Sequence, residues 1–138
     1  MHALRRLSLP LAALILTLPS AANGQEVRFG APHTIGEGAV RTYAILDAEG
    51  RVSELGYAID EAAIRTLPPG EDFVVATDPM LEAPFLTMDL PLPEGHGTPF
   101  RFAMFDWNPK GHPPVMYELA HFDFHFYMID PAERDAIQ

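Results

Sequence analysis

Trp107–Asp130, WNPKGHPPVMYELAHFDFHFYMID, holds the only Trp of the chain, three of its six His and its densest run of aromatics. Within it, His121-Phe122-Asp123-Phe124-His125-Phe126-Tyr127-Met128 alternates strictly. His121, Asp123, His125 and Tyr127 fall in one set, and Phe122, Phe124, Phe126 and Met128 in the other. Period two is the signature of a β-strand, because successive side chains point to opposite faces of a sheet. One face is a ladder of large apolar groups; the other is a row of imidazole, carboxylate, imidazole and phenol. Such a row is costly to bury unpaired, so it must be solvated, hydrogen-bonded or metal-bound.

Moving upstream, Pro99–Trp107 is apolar on both parities, Phe100, Phe102 and Met104 against Ala103, Phe105 and Trp107. That predicts a central strand covered on both sides. Asn108–Pro114 cannot continue a ladder and reads as a fixed loop beside the HFDFHFY strand. Phe85–Leu90 is a further strand, with a Gly- and Pro-rich turn at 91–97. A short strand is expected at Phe73–Ala76 and a loop over Thr77–Pro84. Val40–Leu46 and the run carrying Leu55, Tyr57 and Ile59 form a hairpin across Asp47-Ala48-Glu49-Gly50. Val27–Ile35 is a first strand limited by Gly30, Pro32 and Gly36. Asp60–Thr66 is a short helix, with Asp60 at the N-cap, an Ile59/Ile64 staple, and Pro68-Pro69 as its stop.

Downstream, Asp130-Pro131-Ala132-Glu133 places a cap, a first-turn Pro and a capping-box Glu in sequence. Barely one turn follows, which fits either a truncated chain or a frayed terminal turn. The expectation is a mainly β domain over residues 25–138, an antiparallel sandwich or barrel of six or seven strands with one short helix.

Residues 1–24 read as a secretory signal peptide: a basic start at Arg5-Arg6, an apolar run over Leu7–Leu18, then Ser20, Ala22 and Gly24 as small cleavage-site residues. The apolar run is too short for an ordinary membrane span. Export to the periplasm or the extracellular space is expected, with no membrane association after cleavage. The chain has no Cys, so disulfides and Cys-type zinc or nucleophile chemistry are excluded. Its formal net charge is −10, and loss of Arg5 and Arg6 leaves 7 basic against 19 acidic residues, −12. An acidic surface argues against nucleic-acid binding. Apolar strands with open edges favour a homo-oligomer.

Divalent transition metals, zinc first among them, favour imidazole and carboxylate ligands, and catalytic zinc commonly takes three such ligands with one position open. His112, Glu118, His121, Asp123 and His125 supply the groups. Along a strand, residues two apart are separated by ~6.6 Å and four apart by ~13 Å. His121 with Asp123, or Asp123 with His125, can therefore converge on one ion, whereas His121 and His125 do so only if the strand is bent or bulged. The third ligand has to come from another segment, and His112 is best placed by Gly111 and Pro113. His96 and His33 are weaker candidates. Three readings stay open: an exported metal-binding protein acting on an unknown small-molecule substrate, a non-catalytic structural or interaction module with a His/Asp hydrogen-bond network, and metal-free acid–base catalysis. No phosphate-binding loop, G-x-S-x-G elbow or HExxH motif is present.

From Val40 onward, three pieces carry a resemblance: RTYAILDAEGRVSELGYAIDEAAIRTLP, MDLPLPEGHGTPF and WNPKGHPPVMYELAHFDFHFYMIDPAERDAI. They resemble a family of uncharacterised exported bacterial proteins built on a domain of unknown function. The last piece is the long and specific one. Members of that family look longer, with a second portion after the helix near Pro131. Ala120 departs from the family, in which Pro is frequent just before HFDFHFY. The resemblance implies a fold and a site position, and no reaction.

Overall fold

The computed structural model describes residues 24–70 and 85–137. The segment read as a signal peptide, except its last residue, and the strand and loop expected over residues 73–84 lie outside these residues. Among the described residues seven strands form two antiparallel sheets. The first sheet holds β1 (Glu26–Phe29), β2 (His33–Ile35), β3 (Gly38–Leu46) and β4 (Val52–Ile59). The second has β5 (Leu86–Leu90), β6 (Phe102–Asn108) and β7 (His121–Tyr127), in that order. Helix α1 is Glu61–Arg65 and helix α2 is Pro131–Asp135.

β6 is the central strand of its sheet, as its two-sided apolar pattern requires, and Phe102, Ala103 and Phe105 are buried. β3 is central in the first sheet, with β4 on one side and both β1 and β2 on the other. The single strand expected over Val27–Ile35 is thus two strands that share one neighbour. Gly30 sits at the break and donates its N–H to the Thr42 carbonyl at 3.0 Å. A Cβ at Gly30 would lie 2.3 Å from the Pro91 carbonyl oxygen and 2.4 Å from Thr42 Oγ1, so only glycine fits where the two sheets approach. Thr42 Oγ1 donates to that same Pro91 carbonyl at 2.6 Å.

The two sheets do not close into a barrel among the described residues; they pack as a sandwich. Ile35 and Val40 of the first sheet, with Ala63 of α1, form one cluster with Leu90, Ala103 and Phe105 of the second. The Phe ladder of β7 faces this core. Tyr57 of β4 packs tilted against Phe124 and Phe126, with ring centroids 4.7 and 5.1 Å away. Its hydroxyl donates to the carbonyls of Met104 (3.0 Å) and His125 (2.6 Å), joining the sheets through a polar bond as well.

Both helix signals are realised, so the described residues hold two short helices where one was expected. α1 starts at Asp60, but the Asp60 carboxylate accepts from the Ala39 N–H at 3.1 Å instead of capping the helix. α2 carries the full capping box: Asp130 accepts from the Glu133 N–H, and Glu133 accepts from the Asp130 N–H at 2.9 Å.

Candidate metal centre

Register places the polar face of β7 beside a polar half of β6. Met104 lies opposite His125, Asp106 opposite Asp123, and Asn108 opposite His121. Directly opposed residues of an antiparallel pair share a face. Asp106 and Asn108 therefore belong to the site, although nothing in the sequence reading singled them out. Both are buried, at 6% and 3% exposure.

At the Asn108 end of this face three donor atoms meet. His121 Nε2 lies 3.2 Å from His112 Nε2 and 3.5 Å from Asp123 Oδ2, and His112 Nε2 lies 3.9 Å from the same oxygen. A triangle with those sides has a point about 2.1 Å from each corner, which is the ligand distance of a zinc–imidazole bond. Each imidazole is held from behind. His112 Nδ1 lies 2.8 Å from the Pro113 carbonyl, and His121 Nδ1 lies 2.6 Å from the Leu119 carbonyl. A carbonyl only accepts, so both Nδ1 atoms carry a proton, and when the rings are neutral both Nε2 atoms present lone pairs. Asn108 Nδ2 donates to Asp123 Oδ2 at 2.8 Å and fixes the carboxylate.

His112 reaches the strand because its loop folds back over β7. The Gly111 N–H bonds to the Asn108 carbonyl, and the His112 N–H bonds to the Tyr117 carbonyl. Gly111 has φ +65°, and a Cβ there would lie 2.2 Å from the Tyr117 carbonyl oxygen. Tyr117, in a 3-10 turn over Val115–Tyr117, also packs on His112 with ring centroids 5.4 Å apart.

His125 and Glu118 do not join this group among the described residues. β7 pairs with β6 without a register break, so His125 stays two strand steps from His121, beyond common reach. Its Nε2 lies 3.5 Å from Asp106 Oδ2 instead, and Thr87 Oγ1 donates to Asp106 Oδ1 at 2.7 Å. Burial pushes the Asp106 carboxyl above its ordinary value, against the Thr87 hydrogen bond and the nearby His125. Glu118 is exposed just after the 3-10 turn. His96 Nδ1 faces the Thr98 N–H and hydroxyl, and His33 lies on β2. At the other end of the face Arg134 of α2 forms a bidentate pair with Asp89 (2.5 and 3.0 Å) and lies over the rings of Phe102 and Tyr127.

A family model described as TTHB210-like, hypothetical protein TTHB210, matches residues 47–107. The chain is thus similar to an uncharacterised family over the β3–β4 turn, β4, α1, β5 and nearly all of β6. The match ends at Trp107, so His112, His121 and Asp123 lie beyond it. No curated protein and no solved structure matches the chain. No described helix is long and apolar enough to cross a membrane.

Proposed function

We propose that the protein is exported and binds a divalent transition metal, zinc first among the candidates, through His112, His121 and Asp123. The observation that carries this reading is the convergence of two imidazole nitrogens and a carboxylate oxygen around one point at bonding distance. The surroundings support it. Backbone carbonyls behind both imidazoles fix the tautomer that leaves Nε2 free to ligate, and Asn108 orients the carboxylate. Three protein donors leave a fourth position for water or a small molecule. A metal there would supply Lewis acidity and a bound water of lowered pKa. His112, coming from a loop, and His121 and Asp123, coming from a strand, would then be held together by one ion.

A second reading is supported by a different observation: among the described residues no buried side-chain polar atom lacks a hydrogen-bond partner. In that reading the polar face is a self-satisfied network in a structural or interaction module, and one proton sits between His112 and His121. Elemental analysis separates the two. The protein is purified without a His tag and without chelator, beside His112→Ala and His121→Ala. About one metal per chain, lost in both variants, is the expected result. Substoichiometric metal that is the same in all three proteins would leave the network reading standing.

A further inference from the structure

We propose that the outer edge of β7 pairs with the same edge of a second copy of this chain, antiparallel and centred on Phe124. Among the described residues β7 pairs only with β6, and no other described strand takes its outer edge. Phe124, the midpoint of the strand, packs on Tyr57 of the first sheet yet remains 47% exposed. Leu119 before the strand is 79% exposed and Met128 after it is 66% exposed. An open strand edge with an uncovered aromatic at its centre and apolar residues at both ends invites another strand.

The sequence of the strand selects which strand and in which register. A two-fold axis through Asp123 would set like carboxylates opposite one another, which is destabilising. Centred on Phe124, the pairing uses all of β7 and every opposed pair is complementary. Asp123 falls opposite His125 of the second copy, Phe122 opposite Phe126, His121 opposite Tyr127, and Phe124 opposite itself. Just beyond the strand ends the same register sets Ala120 opposite Met128 and Leu119 opposite Ile129. Maximal overlap and charge complementarity coincide in this one arrangement. It needs no metal.

Sedimentation of the mature chain at micromolar concentration should give the dimer mass. Phe124→Lys, which places two like charges on the axis, should give the monomer with an unchanged far-UV circular dichroism spectrum. Met116→Lys, on the exposed 3-10 turn away from the edge, should stay dimeric. The chain has no Cys, so single-cysteine variants test the register directly. On oxidation with diamide, Phe124→Cys should crosslink into a dimer, and Phe122→Cys should not, because its own counterpart lies four residues along the strand. A wild-type monomer throughout the concentration range would overturn the proposal. So would a dimer that survives Phe124→Lys, or crosslinking through position 122 in place of 124, which decides the matter if Phe124→Lys fails to fold.

Discussion

Asn108 on β6 donates its amide to Asp123 on β7 at 2.8 Å, and the two residues stand diagonally across the strand ladder, with Asn108 itself opposite His121. The bond is made to Oδ2, the oxygen that lies within 3.9 Å of both imidazoles. A buried donor thus sets the direction in which the carboxylate presents its lone pairs.

Asn108→Leu removes that donor while keeping a comparable volume. Metal affinity should fall about 10- to 100-fold, the usual cost of losing such an orienting partner. Competition against a chromophoric zinc chelator measures it, and equal affinities in the two proteins would show that Asp123 needs no orientation.

Phe105 is the largest fully buried side chain, in contact with Phe122 and Phe124 across the ladder. Phe105→Ala should cost about 3–5 kcal/mol of stability, from lost transfer energy and the cavity left behind. Urea unfolding followed by circular dichroism gives the number directly. A loss below about 1 kcal/mol would mean that the sandwich interior collapses around the gap.

Asp106 predicts a pH dependence with a definite sign. Its carboxyl titrates higher in the folded chain than in the unfolded chain, because burial disfavours the charged form. Between those two values the folded state binds the more protons, so this group's contribution falls as pH rises through the window. Asp106→Asn keeps the Thr87 hydrogen bond and removes the titration. Urea midpoints from pH 3 to 7 should therefore fall less steeply, or rise more steeply, with pH in the variant. Parallel curves for the two proteins would contradict the assignment.

Arg134 ties α2 to the second sheet through Asp89, whose side chain is partly open to solvent. Screening limits such a pair, so Arg134→Ala should cost about 1 kcal/mol at low salt and less at high salt. Loss of the capping Asp130 should cost about 1 kcal/mol as well. Amide exchange over residues 131–135 is the sensitive readout: it should quicken in both variants while β6 remains protected.

The strand at the centre of the site was legible because its information is local. Eight residues of strict alternation fix β7 and sort its side chains onto two faces before any partner is known. Helix α2 was legible for the same reason, through Asp130, Pro131 and Glu133. The limit on β7 was also local: strand geometry alone keeps His121 and His125 apart while the strand is unbent. Other features needed the third dimension. Asp106 and Asn108 enter the site only once β6 and β7 are in register, and their sequence reads as a core strand. Asp60 looks like a helix cap from its neighbours, but its carboxylate is taken by Ala39 across the first sheet. The break between β1 and β2 was half legible. Gly30 and Pro32 flagged a limit, but the close approach of Pro91 that demands glycine is a tertiary contact.

Trp107 gives the molecule an optical reporter. It is the only indole in the chain, its ring packs 4.8 Å from Phe122, and its N–H donates to the Pro68 carbonyl at 2.8 Å. Separation of the strands from the segment after α1 would break that bond and shift the emission to the red. Its neighbour in the chain is Asn108, and Phe122 lies between His121 and Asp123. A coloured or paramagnetic ion such as cobalt or copper held by the cluster would sit within quenching range of the ring. With a bound ion, one fluorescence trace would carry two signals, the colour of the emission reporting the packing of the sheets and its intensity reporting the arrival of the ion.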